Sequence, residues 1–207
     1  MSLKHFKPMI PRILSLLLLS ATIASAQTNT TPLKVGATIP DVTLRTENDQ
    51  AVKLRTLVAA KPTVLIFYRG SWCPFCTRHL QDLAGIEPEV AKAGAQILAI
   101  SMDQPEKLKA TPGHDTLGYQ LLSDSDAAAT RAFGLAFRVE DALVKKYKDS
   151  YKIDLEAASG RDHHILPYPA VFVASTNGVI QFAHFNPDYK VRLEPKKILA
   201  ALAAATP

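Results

Sequence analysis

Cysteine is scarce in this chain of 207 residues, which contains only two, Cys73 and Cys76. Two cysteines are too few for a small fold stapled by several disulfides, and too few for a zinc site built from four thiolates. The 9 glycines and 14 prolines form no repeat and no low-complexity run, which excludes collagen-like and solenoid architectures. A Gly-x-Ser-x-Gly segment is also missing, so nothing supports a hydrolase nucleophile elbow.

Net positive charge is small once the N-terminal residues are set aside. The chain has 24 Lys and Arg against 19 Asp and Glu. Three of the basic residues, Lys4, Lys7 and Arg12, lie in an N-terminal segment that has no acidic residue. The rest of the chain has no dense Lys and Arg stripe interleaved with aromatic residues, so no nucleic-acid partner is predicted.

The N-terminal segment has the pattern of an export signal. Residues 13–19 form an apolar run that is followed by Ala24, Ser25 and Ala26. The run is shorter than the roughly 20 residues that cross a bilayer as a helix, and the small residues fit a signal peptidase site. We therefore predict a signal peptide over residues 1–26 and one mature domain over residues 27–207, periplasmic or secreted and without stable membrane association. An uncleaved N-terminal anchor is the alternative.

Hydrophobic patterning predicts a βαβ unit in the middle of the chain. Residues 62–68 form a continuous apolar run, which is typical of a strand covered on both faces, and residues 95–101 are predicted to form another buried strand. A helical period runs from Pro74 to Gly94 between them, with an apolar face formed by Leu80, Leu83, Ile86 and Val90. A strand, a helix and a strand in this order predict a parallel pair joined by a crossover.

Further predicted elements surround this unit. They are a hairpin of residues 41–45 and 52–57, a short helix over 106–110, a strand over 120–123, a helix over 124–133 opened by an Asx or Ser cap, and a closing helix from Pro195. Residues 138–166 are predicted to form an insertion, with an amphipathic stretch around Val144 and Tyr147 and a polar loop over 159–164. A last hairpin is predicted over residues 170–185, with a type I′ turn at Asn177-Gly178.

The segment Cys73-Pro74-Phe75-Cys76 lies where the first apolar strand ends and the helix begins. Unpaired N–H groups at a helix N-terminus favour a thiolate, so the pKa of Cys73 is expected below its free value of about 8.5. Side chains three positions apart on a helix have Cβ atoms roughly 5 to 6 Å apart, which rotamer adjustment can bring within disulfide range. We therefore predict thiol–disulfide exchange in which Cys73 attacks and Cys76 resolves the mixed disulfide.

Two other interpretations of the cysteine pair stay open. A permanent disulfide would close a loop of only four residues, which removes little chain entropy. Covalent haem attachment is excluded because Thr77, not histidine, follows Cys76. A metal site, in the form of a copper-binding chaperone, would need further ligands from His79, His163, His164 and His184.

Two neighbours of Cys73 each have a functional and a structural interpretation. Trp72 either shields the thiol or offers a docking surface, or else it is a core residue at the end of a strand. Arg69 either stabilises a thiolate or a peroxide oxygen with its charge, or it is a solvated turn residue.

Residues 67–76, Phe-Tyr-Arg-Gly-Ser-Trp-Cys-Pro-Phe-Cys, are followed by Ser101-Met-Asp, Leu122-Ser-Asp-Ser-Asp and Pro169-Ala-Val-Phe-Val. Through these motifs the chain, over about residues 35–204, resembles the peroxiredoxin-like branch of the alkyl hydroperoxide reductase/thiol-specific antioxidant (AhpC/TSA) family of the thioredoxin superfamily. The resemblance implies a thioredoxin-like α/β fold, in which helices flank a central mixed sheet, with an N-terminal β extension. It also implies a Trp72-Cys73 pair with Cys73 as nucleophile, Cys76 as resolving thiol, and Pro169 as a cis proline facing both.

The chain departs from the family's peroxidase pattern, Pro-x-x-x-Thr/Ser-x-x-Cys. Neither Cys73 nor Cys76 has a proline seven positions and a hydroxyl residue three positions before it. Pro169 stands near where many members have a catalytic arginine, so Arg69 is the candidate substitute. Together with the export signal, the resemblance predicts an exported antioxidant oxidoreductase that needs no cofactor or metal and works with hydroperoxides and a thioredoxin-type reductant. A periplasmic disulfide oxidoreductase without peroxidase activity is the alternative.

Overall fold

The computed structural model describes residues 31–205, so the predicted signal peptide and its cleavage site lie outside the described residues. In this part of the chain no helix has the length and apolar character that crossing a membrane requires. The elements, in chain order, are β1 (Thr43–Arg45), β2 (Ala51–Lys53), α1 (Leu54–Ala60), β3 (Thr63–Tyr68), α2 (Pro74–Ala84), α3 (Glu87–Lys92), β4 (Gln96–Ser101), α4 (Pro105–Leu108), a 3-10 turn (His114–Thr116), β5 (Gln120–Ser123), α5 (Ala128–Ala132), β6 (Ala136–Arg138), α6 (Asp141–Tyr151), α7 (Leu155–Ser159), β7 (Ile165–Pro167), β8 (Ala170–Ala174), β9 (Ile180–Phe185) and α8 (Pro195–Ala205).

Seven of these strands form one mixed sheet in the order β2-β1-β5-β4-β3-β8-β9. β3 pairs in parallel with β4, which confirms the predicted βαβ unit, and β8 pairs antiparallel with β3. Every residue of β3 and β8 is buried, which explains why both segments read as continuous apolar runs. The hairpin of β1 and β2 joins the sheet where Arg45 pairs with Ser123 of β5, and it is the N-terminal β extension that the family resemblance implies.

Helices cover both faces of the sheet. On one face, Val64, Ile66 and Tyr68 of β3 pack against apolar residues of α2, α3 and α8. On the other face, Leu65 and Phe67 pack against α1 and α5. Because successive strand residues point to opposite faces, the single strand β3 contributes to both cores. α2 begins just beyond the carboxyl end of this buried strand, which fixes the position of the two cysteines.

Several predicted elements have different bounds in the structure, and three of the differences have a clear physical reason. Residues 54–57 were predicted as strand but belong to α1, because Leu54 and Val58, four positions apart, both face the core. The helix predicted over 74–94 is divided into α2 and α3, with Pro88 in the first turn of α3, where no backbone N–H is needed. The carboxylate of Asp124 does accept the N–H groups of Ala129 and Thr130, but helix α5 itself begins only at Ala128.

The predicted insertion and last hairpin are both present. β6 and β7, a pair that the sequence did not predict, bracket the insertion and bond antiparallel to each other, while α6 and α7 lie between them. Val144 and Tyr147 of α6 pack against the small apolar cluster beneath it. The type I′ turn was wrong, because Gly178 has a positive φ of 81° whereas Asn177 does not. The N–H of Gly178 donates to Ser175 O at 2.8 Å instead.

Candidate active site

The turn after β3 carries Cys73 to the start of α2. Cys73 is the N-cap residue, with extended backbone angles of φ −95° and ψ 110°, and Pro74 follows in the first helical turn. The N–H of Cys73 donates to Gly70 O at 3.1 Å, while its own carbonyl accepts the N–H of Cys76 at 2.9 Å. The structure thus places both cysteines at the helix N-terminus where the sequence predicts them.

The two cysteines are free thiols with opposite electrostatic character. Cys73 is 2% exposed and Cys76 is 0% exposed. A hydrogen bond from the Cys76 side chain, and then the positive charges of Arg69 and Arg192, lower the pKa of Cys73 from 9.0 to about 6, against the opposing effect of burial. Burial, followed by the interaction with Cys73, raises the pKa of Cys76. At neutral pH the pair therefore consists of a Cys73 thiolate and a protonated Cys76 thiol.

Arg69 lies in an aromatic cage instead of in solvent. Its side chain is 3% exposed, and its Nη2 donates to the hydroxyl of Tyr147 at 2.5 Å. The guanidinium carbon lies 4.9 Å from the ring centre of Trp72, 5.5 Å from that of Tyr147 and 4.4 Å from that of Tyr189. The interpretation of Arg69 as a solvated turn residue is therefore wrong, and its fixed positive charge acts on Cys73.

A cavity of about 550 Å³, which we call the aromatic cleft, opens beside Cys73. The side chains that define it are Trp72, Cys73, Phe75, Tyr147, Tyr151 and Tyr189. Tyr147 and Tyr151 come from helix α6 of the insertion, and Tyr189 comes from the segment between β9 and α8. Trp72 both lines the cleft and packs on the core, and its role towards the thiol stays a prediction. The volume suits a small organic molecule.

The Arg69–Trp72 turn depends on two residues to which sequence reasoning gave no role. Asp103 is fully buried, and its Oδ2 accepts the N–H of Ser71 at 2.7 Å and the hydroxyl of Ser101 at 3.1 Å. Burial raises the pKa of Asp103 to about 6, against these hydrogen bonds. A Cβ at Gly70 would lie 2.4 Å from Trp72 Nε1 and 2.9 Å from Asp103 Oδ1. Only glycine therefore lets the turn, the indole and the carboxylate pack together.

The sequence analysis also gave no role to Arg192. It lies between β9 and α8, and its Nη2 is 3.2 Å from Cys76 Sγ while its Nε donates to Phe75 O at 3.4 Å. No motif marks this arginine, and 116 positions separate it from Cys76. Asp103, by contrast, belongs to the Ser101-Met-Asp motif that carried the family resemblance, so that motif was an available signal for it.

The prediction of a cis proline at position 169 was wrong. No peptide bond in residues 31–205 is cis. Pro169 is buried and directly precedes β8, one position beyond the pairing of Phe67 with Ala170, so it lies level with Tyr68. Tyr168 N–H donates to Leu135 O, and Pro169 O accepts the N–H of Asn186. The trans bond leads directly into β8, and proline is tolerated at the start of a strand.

Three of the four histidines considered as metal ligands have other partners. His79 Nε2 is 3.2 Å from Leu193 O, His163 Nε2 is 2.9 Å from Ser125 O, and His164 Nε2 is 2.8 Å from a Glu156 oxygen. His184 lies on β9. Within residues 31–205, no group of three or more His, Cys, Asp or Glu side chains is arranged to hold a metal ion.

Comparison with known proteins agrees with this architecture. The model of the AhpC/TSA family matches residues 35–183. The chain belongs to the AhpC/TSA family. Alkyl hydroperoxide reductase E of Mycobacterium tuberculosis is 29% identical over 176 residues, which are 84% of this chain and 99% of that protein. Peroxiredoxin Bcp of Escherichia coli is 31% identical over 135 residues, which are 65% of this chain and 85% of that protein.

Comparison with solved structures tests the fold. The crystal structure of peroxidoxin BcpB from Mycobacterium tuberculosis superposes with a TM-score of 0.65 and 22% identity, covering 83% of this chain and 97% of that one. The predicted thioredoxin-like α/β fold is confirmed. As a member of this family, the protein is a thiol-dependent oxidoreductase of the peroxiredoxin type.

Proposed function

We propose that this protein is an exported peroxidase that reduces organic hydroperoxides, with Cys73 as the attacking thiolate and Cys76 as the resolving thiol. The observation that carries the proposal is the position of Cys73. Its thiol, with a pKa lowered to about 6 first by the Cys76 hydrogen bond and then by Arg69, lines a cleft built from aromatic side chains. With this pKa about nine-tenths of Cys73 is thiolate at pH 7, so the nucleophile is ready at neutral pH.

The reaction balances with these two thiols and one external dithiol. The Cys73 thiolate attacks the terminal oxygen of ROOH, the O–O bond breaks, and the alkoxide takes a proton to leave as ROH. Cys73 is then a sulfenic acid. The sulfur of Cys76 attacks the sulfur of Cys73, the S–O bond breaks, and the hydroxyl leaves as water with the Cys76 proton. A thioredoxin-type dithiol returns two electrons and two protons by thiol–disulfide exchange.

The walls of the cleft support an organic substrate. Tyr147, Tyr151 and Tyr189 present ring surface, and Arg69 supplies a fixed charge next to the thiol. Such a site binds an apolar or aromatic group on its walls and stabilises the oxygen on which negative charge develops. The name of the mycobacterial relative, alkyl hydroperoxide reductase E, agrees with this substrate class. Phe75, 41% exposed at the edge of the cleft, gives the protein reductant an apolar contact.

The proposed location outside the cytoplasm rests on the N-terminal segment. Residues 1–26 have the basic start, the short apolar run and the small residues of a cleavable signal. Periplasmic or secreted protein made in a bacterial host would then begin at Gln27. A mass that includes residues 1–26 in the exported fraction would contradict cleavage after Ala26.

A stopped-flow experiment tests the peroxidase activity. Trp72, the single tryptophan, reports oxidation of the neighbouring thiol. We expect reduced protein mixed with cumene hydroperoxide to show a fluorescence change whose rate grows in proportion to the peroxide concentration, and Cys73→Ser to show none. Tyr147→Ala, which removes one wall of the cleft, should slow the reaction with cumene hydroperoxide more than the reaction with hydrogen peroxide. Arg78→Met, at an exposed position of α2, is the control.

Two other results would select the alternatives. If the wild type reacts with hydroperoxide no faster than a free thiol does, and reduces a model disulfide rapidly, the protein is a protein disulfide oxidoreductase instead of a peroxidase. The Cys-x-x-Cys dithiol is the feature that supports this alternative. Stoichiometric copper in protein purified without chelator would favour the chaperone.

A further inference from the structure

Arg192 is the charged group in direct contact with the second thiol. Its Nη2 lies 3.2 Å from Cys76 Sγ, and its Nε donates to the carbonyl of Phe75 at 3.4 Å. Its Nη1 is buried and has no hydrogen-bond partner. Within residues 31–205, no carboxylate forms an ion pair with Arg192. The guanidinium therefore has a permanent charge with a thiol and a carbonyl as its polar contacts.

The neighbouring residues hold this guanidinium without neutralising it. The carbonyl of the next residue, Leu193, contacts His79 Nε2 at 3.2 Å, and both side chains are buried. Burial, followed by the positive charge of Arg192, lowers the pKa of His79 to about 4, so the imidazole is neutral and can donate to Leu193 O. The contact anchors the backbone beside Arg192 but contributes no negative charge. Arg192 is half-buried, and a cation in such a position that lacks a carboxylate favours an anion at the atom it contacts.

We propose that Arg192 is the catalytic residue of the resolving step, in which it stabilises the Cys76 thiolate that attacks oxidised Cys73. The proposal rests on the proposed function above. Arg192 has a different task from Arg69, which lies with Trp72 and Tyr189 on the cleft side of the pair and acts on Cys73. Arg192 also acts on Cys73, but more weakly than Arg69 does, and its direct contact is with Cys76.

The need for this stabilisation follows from the burial of Cys76. The side chain is 0% exposed, and burial raises the pKa of its thiol, so Cys76 is a poor nucleophile in the reduced protein. The negative charge of Cys73 also raises this pKa. When Cys73 becomes a neutral sulfenic acid that charge disappears, while the guanidinium of Arg192 stays in place. Oxidation of the first thiol therefore prepares the second one.

The step is balanced within the chain. Cys76 Sγ loses its proton and attacks Cys73 Sγ, an S–S bond forms, and the S–O bond of the sulfenic acid breaks. The hydroxyl leaves as water after taking up one proton, which equals the proton lost by Cys76. Arg192 donates hydrogen bonds throughout and transfers no proton.

The experiment separates the two chemical steps in Arg192→Met. Reduced protein is mixed with excess cumene hydroperoxide. The Trp72 fluorescence follows oxidation of Cys73. Disulfide formation is followed in quenched samples, whose free thiols are alkylated and whose masses are then measured by mass spectrometry. A hydrogen bond to a charged group predicts that disulfide formation slows by about 10- to 100-fold. Oxidation of Cys73 should change by less than about threefold, since Arg192 is the smallest of the causes given for its low pKa. Sulfenic acid, trapped with dimedone, should accumulate.

Control variants separate charge from architecture. Arg192→Lys keeps the charge and should recover part of the lost rate, whereas Arg78→Met removes a positive charge from the exposed face of α2 and should leave both steps as in the wild type. Thermal unfolding of each variant is measured in parallel. If Arg192→Met does not fold, Arg192→Gln, which keeps N–H donors without the charge, takes its place.

Two results would overturn the assignment: disulfide formation in the charge-removing variant within about threefold of wild type, or Arg192→Lys as slow as Arg192→Met. Failure of the proposed function looks different, because the wild type would then show no oxidation by hydroperoxide at all. In that case diamide replaces the peroxide. The Cys73 thiolate adds to diamide, Cys76 displaces the resulting hydrazine, and the same closing step is timed in all variants.

Discussion

The hydrogen bond between the two thiols is the first target for mutation, because it is the largest cause of the low pKa of Cys73. We compare Cys76→Ala, which removes the donor, with Cys76→Ser, which keeps a hydroxyl donor at the same place. A hydrogen bond to an ionised group contributes about 1.5–3 kcal/mol, and each pKa unit corresponds to about 1.4 kcal/mol. The pKa of Cys73 should therefore rise by about one to two units in Cys76→Ala and stay near its wild-type value in Cys76→Ser.

The assay is the rate of alkylation by iodoacetamide as a function of pH. Only the thiolate reacts, so in the wild type the rate should rise with pH through a midpoint near 6 and then level off. Each single-cysteine variant gives one titration curve without interference from a second thiol. The midpoint is the quantity compared, because the nucleophilicity of a thiolate itself changes with its pKa and moves the plateau.

The reasoning would be refuted by a Cys76→Ala midpoint within about half a unit of the wild type, since the helix N-terminus and the two arginines would then account for the shift. It would also be refuted if Cys76→Ser moved the midpoint as far as Cys76→Ala, because donation of a hydrogen bond would then not be the cause. Arg78→Met should leave the midpoint unchanged.

The turn before Cys73 gives two further predictions. Gly70→Ala should displace the Trp72 indole, because its Nε1 would lie 2.4 Å from the new Cβ, and should lower the free energy of unfolding by about 1–3 kcal/mol. Urea unfolding measures the loss of stability, and the Trp72 emission maximum reports the displacement. An unchanged emission maximum would contradict the prediction. Asp103→Ala should lower the free energy of unfolding by about 2–4 kcal/mol, because the N–H of Ser71 and the hydroxyl of Ser101 lose their acceptor. Asp103→Asn keeps an acceptor oxygen and should lose less, so equal losses in the two variants would show that these hydrogen bonds are not the reason.

The local hydrophobic pattern was sufficient to predict the strands that lie inside the sheet. The runs 62–68 and 95–101 are mostly apolar because both faces of β3 and β4 are covered, and the structure has strands at both places. Pattern failed where two periods fit equally well. Val52 and Leu54 alternate with polar residues as in a strand, whereas Leu54 and Leu57 have helical spacing, and burial of Val58 at the spacing of a helix decides for α1.

The cysteine pair could be placed from sequence because a strand end, a proline and a helical period meet at one point. The arginines could not be assigned in the same way. Arg69 is adjacent to the motif, but whether it faces water or protein depends on Tyr147 of the insertion, 78 positions away. The signal for Arg192 is weaker still, since its contact with Cys76 exists only because the chain after β9 returns across the start of α2 before α8 begins.

The helix N-terminus by itself does not explain why one thiol rather than the other is ionised. Cys73 and Cys76 are three positions apart and share the first turn, so the field of the backbone favours both thiolates. The choice is made by tertiary contacts: both thiols pack in the same core cluster, but Cys73 also lines the aromatic cleft near the caged Arg69, whereas Cys76 does not line it and is 0% exposed. The more deeply buried thiol keeps its proton and becomes the hydrogen-bond donor. The assignment of nucleophile and resolving thiol therefore depends on the cleft and on the segment that carries Arg192 at least as much as on the Cys-Pro-Phe-Cys motif.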